Sequence, residues 1–232
     1  MEKENKMGTM PLNRLLITVS LPMMISMLVT AAYNIVDSFF VAQISENALT
    51  AVSMAFPIQQ IMMGLAFGVG IGVNALLSRA LGEKEFDQVN NYAMHGIFLS
   101  LCSYIVFAIV GFNVVKPFYR VQTTDAEIIE YGIQYLSTVC ICSFGMYAQL
   151  IFERLLQSTG RTVCTMITQG TGAIINIVLD PIFIFGLFGA PKLGVRGAAI
   201  ATVIGQIIAA TMAVIMNITI NKEVKLSFKG FK

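Results

Sequence analysis

Charge is scarce in this sequence. Only 12% of its 232 residues are Asp, Glu, Lys or Arg, whereas 56% are hydrophobic. A soluble domain carries about 25% charged residues. Half of that complement cannot coat a globule of this size, so a soluble enzyme domain is excluded. The mean hydropathy of +0.75 also excludes disorder, which requires low hydrophobicity. The net charge is only +2, which gives no reason to expect nucleic acid. All four cysteines fall inside apolar stretches, so no secreted disulfide framework is implied. The single histidine, His95, lies near the start of an apolar stretch and reads as a packing or interfacial residue. Cys140 and Cys142 are two apart and diverge on a helix. With no metal-ligand set and no nucleophile–base pair, neither an enzyme nor a cofactor is expected. What remains is an all-α, polytopic membrane protein.

Six stretches have the roughly 20 mostly apolar residues that a spanning helix needs. They run over Leu15–Ile44, Leu49–Leu81, Val89–Val115, Ile128–Gln157, Thr162–Phe188 and Gly194–Ile220. The first lacks an early cleavage-like end and reads as a retained span, not a signal peptide. The chain therefore divides into an N-terminal segment 1–14, a six-helix bundle 15–220 and a basic tail or linker 221–232. Eleven of the fifteen Lys and Arg residues fall on the side of the N-terminus, the even-numbered connectors and the tail. The positive-inside rule then puts both termini in the cytoplasm of a cell-membrane protein. Thr124-Asp125-Ala126-Glu127 has the form of a capping box for the fourth span, and Thr159-Gly160-Arg161 ends that span. Gly64, Gly68 and Gly72 in the second span, and Gly197, Ala201, Gly205 and Ala209 in the sixth, form small-residue ridges expected at close helix crossings.

Three of the thirteen acids fall within spans: Asp37, Glu153 and Asp180. Glu153 precedes Arg154 near a span end, where an ion pair or snorkelling is expected. Asp37 has Tyr33 at i−4 and Asn34 at i−3; Asp180 has Asn176 at i−4. These spacings put each carboxylate on one helix face with polar neighbours. A lone carboxylate at the bilayer centre costs at least about 2.5 kcal/mol on insertion scales. It must face the bundle interior and find a partner, a proton or a cation. Two such acids at close range rarely both stay ionised, so the pair suits a proton acceptor; with Asn176 and Thr202 it also suits Na⁺. A purely structural hydrogen-bond network is the other reading. Pro181 follows Asp180 and frees the Ile177 carbonyl, a further oxygen for a cation, and bends its helix; Pro22 bends the first span and Pro57 the second. Thr202 and Gln206 in the sixth span are further polar partners. Gln59, Gln60, Asn74 and Gln149 are candidates to line a cavity.

These residues also carry a resemblance. Tyr33-Asn34-Ile35-Val36-Asp37, Ser78-Arg79-Ala80-Leu81-Gly82, Leu156-Gln157-Ser158-Thr159-Gly160-Arg161, Asn176-Ile177-Val178-Leu179-Asp180-Pro181 and Gly194-Val195-Arg196-Gly197-Ala198-Ala199-Ile200-Ala201-Thr202 occur in order along the chain. Together they resemble signatures of the multidrug and toxic-compound extrusion (MATE) transporters. The resemblance implies a cation-coupled antiporter, driven by H⁺ or Na⁺, that expels cationic amphiphilic compounds. It implies an N-lobe cation cluster of Asp37, Asp180, Asn176, Thr202 and Tyr33, with the Ala198 carbonyl contributing, and bending of the first helix at Pro22. That family normally has twelve helices in two lobes with the substrate cleft between them. The six here read as an N-terminal half or fragment, whose partners would be the bilayer, the substrate, and a C-terminal lobe or second copy. A lipid-linked oligosaccharide flippase of similar scaffold would need basic residues at its span centres, where this sequence has none. A non-transporting structural subunit does not account for the paired acids.

Overall fold

The computed structural model describes residues 10–224. The outer parts of the expected terminal segments, with Lys3, Lys6, Lys225, Lys229 and Lys232, lie outside the described residues. Among the described residues eight α-helices follow one another: α1 Leu12–Ala42, α2 Glu46–Gly82, α3 Phe86–Asn113, α4 Val115–Gln122, α5 Ala126–Ile141, α6 Phe144–Ser158, α7 Thr162–Phe185 and α8 Val195–Thr219. A short 3-10 turn, Leu187–Gly189, precedes α8. Five of them, α1, α2, α3, α7 and α8, are each long and apolar enough to cross a membrane; α5 and α6 together supply a sixth span. Large apolar side chains face outward along these helices, among them Leu28, Ile35, Ile61, Phe112 and Ile218. A water-soluble fold would hide such residues, whereas a lipid-facing surface requires them.

The fourth span is not the single helix that its continuous apolar run predicts. It breaks at Cys142-Ser143, and the two halves meet at 44°. The Ser143 hydroxyl donates to the Cys140 carbonyl at 2.8 Å, taking a helix acceptor for itself. The break seats Gly145 against the α8 backbone, where a Cβ would come within 3.0 Å of the Ile207 nitrogen. Pro22, Pro57 and Pro181, in contrast, lie inside helices that remain single elements.

The segment before α5 also differs from expectation. Val115–Gln122 forms the short helix α4, anchored by Tyr119, whose buried hydroxyl donates to the Ala51 carbonyl at 2.6 Å. The cap of α5 is Asp125, not Thr124: its carboxylate accepts from the Glu127 and Ile128 nitrogens at 2.9 and 3.2 Å. Glu127 does not complete a capping box but accepts from the Asn47 amide across the bundle. At the end of α6 the Thr159-Gly160-Arg161 stop holds. Gly160 takes φ 76°, and the Arg161 and Gly160 nitrogens return to the Leu156 and Gln157 carbonyls at 2.9 Å each, a Schellman closure.

In the bundle, α7 lies between α1 and α8, and α8 packs in turn on α6 and α5. Helix α2 packs on α3, α5 and α6 but touches α1 only slightly, although three residues join the two. The largest apolar core gathers Ala55, Ile58, Met62, Leu136, Tyr147 and Ala199. The α7–α8 contact is a backbone contact. A Cβ on Gly205 would fall 2.7 Å from the Gly172 carbonyl oxygen, and one on Gly197 would fall 2.5 Å from the Phe183 carbonyl oxygen. The ridge on α8 is therefore a close crossing, as its spacing predicts. The ridge on α2 is not: Gly64, Gly68 and Gly72 meet nothing within 4 Å and are exposed. Only Gly70, off that ridge, packs tightly, against the Arg154 side chain.

These two environments predict opposite outcomes for one substitution. Gly205→Ala forces α7 and α8 apart and destabilises by about 1–3 kcal/mol. Gly68→Ala meets no atom and removes a helix-interior glycine, so it is neutral to stabilising by up to about 1 kcal/mol. Apparent melting temperatures of the two purified variants in one detergent give the order directly.

Candidate cation site

The paired acids come together because α7 bridges α1 and α8. Asp180 is fully buried and Asp37 is 8% exposed, and the two carboxyl groups are direct electrostatic neighbours. Asn176, one turn before Asp180, directs its amide to both sides. Its Nδ2 donates to Asp180 Oδ1 at 3.3 Å and to Thr202 Oγ1 on α8 at 3.2 Å. Asn176 thus ties the acid on α7 to the hydroxyl on α8. Tyr33, one turn before Asp37 on α1, lies within electrostatic reach of both carboxyls.

Three oxygens in this cluster are buried with no hydrogen-bond partner: Asp37 Oδ1, Asn176 Oδ1 and Asp180 Oδ2. Buried acceptors are normally satisfied, and each orphan costs on the order of 1–3 kcal/mol. Among the described residues no arginine or lysine forms an ion pair with either acid. The arrangement is a concentration of acceptor oxygen that lacks positive charge. A proton shared by the two carboxyls, or a small hard cation held by the three orphan oxygens, supplies what is missing. Among the described residues no group of three His, Cys, Asp or Glu gathers as a metal site, so any cation held here would rely on the two carboxyls and neutral oxygens.

The remaining expected residues are placed differently. Ala198 is buried one turn before Thr202 on α8, with its side chain in the apolar core. Pro181 adjoins the cluster by sequence. Pro22 is buried on α1 but fifteen residues before Asp37, about 22 Å along the helix, so it is not part of the cluster. Asn34 is exposed and turned away from Asp37. Among the polar candidates for a cavity, Gln149 lines one, as does Gln206, which was expected as a polar partner of the acids. Gln60 is exposed, and Asn74 accepts from Ser78 at 3.2 Å. Gln59 donates to the Tyr135 hydroxyl at 3.4 Å. Tyr135, on α5, is a residue that sequence reasoning missed. It is 4% exposed and faces Asp37, Tyr33 and Asp180. Its one signal was a phenol inside an apolar helix, where the hydroxyl needs a partner.

Glu153 and Arg154 are corrected most sharply. They form no ion pair, and neither reaches out to an interface. Glu153 is 1% exposed; its Oε1 accepts from Gln149 Nε2 at 3.0 Å and Thr168 Oγ1 at 2.8 Å, and its Oε2 from Gln169 Nε2 at 2.7 Å. Arg154 is also buried. Its guanidinium sits 5.3 Å over the Phe67 ring and donates to Gln157. Arg154 is thus a basic residue buried near the end of its span, with its side chain packed against Gly70 and Phe67 and not against the two aspartates. A cavity of about 110 Å³ is lined from α1, α2, α6, α7 and α8. Tyr33, Asn176 and Thr202 of the cluster border it, and so do Gln149, Glu153 and Gln169.

A family model, MatE, matches residues 22–182, which takes in α1 through Asp180 and its neighbours. The chain belongs to the MATE family. It is 28% identical over 203 residues to an FAD transporter of Shewanella oneidensis, covering 88% of this chain and 45% of that protein. It is 27% identical over 214 residues to the multidrug export protein MepA of Staphylococcus haemolyticus, covering 92% of this chain and 46% of that protein. A crystal structure of a MATE proline-to-alanine mutant superposes with a TM-score of 0.91 at 25% identity, over 100% of this chain and 52% of that one. The chain thus spans about half the length of the MATE proteins it matches, as one six-span lobe.

The geometry orders the members of the cluster by consequence. Asn176→Leu removes both hydrogen bonds and leaves Asp180 with no donor, a loss of about 1–3 kcal/mol. Thr202→Val keeps the Asn176–Asp180 bond and gives up one neutral acceptor, a loss of about 1 kcal/mol or less. Thermal unfolding in detergent should rank Asn176→Leu below Thr202→Val. The reverse order would show that Asn176 does not hold the network together.

Proposed function

We propose that this MATE-family lobe is the ion-coupling half of an antiporter that exports cationic amphiphilic compounds from the cell in exchange for H⁺ or Na⁺. The observation that carries the reading is the set of three orphaned oxygens at Asp37, Asn176 and Asp180 in a bundle interior with no cation paired to them. Such a site changes its net charge when an ion enters. A charge change at a helix interface shifts a two-state equilibrium only when the ion has different affinity for the two states. Here the acids sit on different helices, α1 and α7, so moving α1 against α7 alters the distance between them and hence their affinity for the ion.

In this mechanism the ion enters from outside, neutralises the Asp37–Asp180 pair and lets α1 settle against α7, with Pro22 and Pro181 as the points where the helices bend. Tyr33, Asn176, Thr202 and the Ala198 carbonyl complete the ligand set. The substrate leaves as the ion binds. A proton moving inward gains about 2.3 kcal/mol per 100 mV of membrane potential, enough to drive export when proton and substrate binding oppose each other. The lobe works beside a second six-helix half, on the same polypeptide or as a second copy, with both ends of the bundle in the cytoplasm. The name of the MepA relative supports drug export. The FAD transporter relative supports a second reading, in which the cargo is a flavin nucleotide. A cavity bordered by the Glu153 carboxyl favours a cation over that anion.

Everted vesicles containing the full reading frame test the proposal. Efflux of a fluorescent cationic dye is expected under an imposed pH or Na⁺ gradient, and the effective gradient names the ion. Asp37→Asn and Asp180→Asn should each lower gradient-driven transport at least tenfold while the protein stays folded, a penalty of about 1.4 kcal/mol or more. Undiminished transport in both variants would remove the pair from the mechanism. Transport of FAD instead of the dye would select the second reading.

A further inference from the structure

We propose that Glu153 is the counter-charge for the positive end of a cationic ligand seated in the cavity between α1 and α2; this rests on the transport reading only in taking that ligand to be the cargo. Glu153 borders the cavity directly, whereas neither Asp37 nor Asp180 does. Its carboxylate accepts from three neutral donors, Gln149, Thr168 and Gln169, and among the described residues it forms no ion pair. A carboxyl surrounded by donors is held as an acceptor. Its two oxygens have room for about four hydrogen bonds, and three are made. The remaining one is open on Oε2, which has Gln169 as its one partner.

The charge on Glu153 has no ion-pair partner among the described residues, although the Arg154 charge acts on it through space. Arg154, the adjacent residue, is committed elsewhere: its guanidinium covers one face of Phe67 and donates to Gln157. Phe67 also borders the cavity, together with Met63, Met146 and Tyr33. Aromatic faces, thioethers and one carboxylate are the chemistry that holds an alkylammonium or aryl-ammonium group. Drug-sized pockets run from about 300 Å³ upward. At about 110 Å³ this cavity takes the charged head of a ligand, while the remainder extends out between α1 and α2.

The experiment is equilibrium binding to the purified full protein, which needs no gradient and is therefore independent of transport. The probes are meta-hydroxyphenyltrimethylammonium and its uncharged isostere, meta-tert-butylphenol, which share shape and differ in charge. The wild type should bind the cation at least about tenfold more tightly than the isostere. Glu153→Gln keeps the side-chain volume and should erase that preference while leaving isostere affinity unchanged. If Glu153→Gln does not fold, as judged by loss of isostere binding, Glu153→Asp shortens the reach by one methylene and should weaken the cation alone several-fold. No preference in the wild type, a preference that survives in Glu153→Gln, or one left undiminished in Glu153→Asp overturns the proposal. So does a preference that Asp37→Asn abolishes and Glu153→Gln does not, because the cation then sits on the aspartate pair. Cation selectivity at Glu153 without any gradient-driven export would leave this inference standing and defeat the transport reading.

Discussion

The close approach of α7 and α8 is the constraint on which the site depends. Where Gly205 meets the Gly172 carbonyl there is no room for a methyl group, and a hypothetical Cβ on Gly205 would also lie 3.5 Å from that of Asn176. Asn176 is one turn beyond Gly172, and Thr202 is one turn before Gly205. The two glycines therefore set the distance across which the Asn176 amide spans from Asp180 to Thr202. In lipid no hydrophobic force presses helices together, and contact must come from backbone-to-backbone packing. A side chain at the crossing would separate the helices and the polar groups beside it together.

Much of this was legible in the sequence, for identifiable reasons. Spans are read from uninterrupted apolarity, which the bilayer imposes on every residue that faces it. Asp37, Asp180 and Asn176 stood out because ionisable and amide groups are costly at membrane depth, and their i,i+4 spacing put Asn176 beside Asp180 on one face. What the sequence could not carry was which faces meet. The glycine spacings on α2 and α8 look alike, yet only the second is a crossing, because periodicity reports a ridge and not its partner. The break in the fourth span was hidden for a similar reason. Neither Cys142 nor Ser143 is a helix breaker by itself; the bend is fixed by where Gly145 has to sit against α8.

Glu153 and Arg154 illustrate the same limit at the level of charge. Adjacent opposite charges invite an ion pair on paper. On a helix, adjacent side chains point about 100° apart, so they face different neighbours. Glu153 turns toward α7, where Thr168 and Gln169 supply donors, and Arg154 turns toward α2, where Gly70 leaves space for its stem and Phe67 offers a ring. Two buried charges that are hydrogen-bonded separately place the negative group at the cavity and the positive one behind the Phe67 ring. A pair would have presented the cavity with a neutral dipole.

The way α1 is held gives the acid pair leverage in the proposed mechanism. Helix α1 rests almost entirely on α7, with slight contact to α2 and α8, and its outer face is apolar and exposed. Along that single interface Asp37 and Asp180 are the groups whose interaction changes sign with occupancy. With both ionised they repel; with a proton or cation between them they attract. On a helix packed on all sides, such a change would be absorbed by many contacts. On one held along a single flank, it acts on the interaction that determines the position of the whole helix. The cavity lies on the side from which α1 would move, bordered by Tyr33 on α1 and Glu153 on α6. In the proposed mechanism, occupancy of the aspartate pair and access to the cavity would be two readings of the same displacement, which is the physical requirement for opposed binding of ion and cargo.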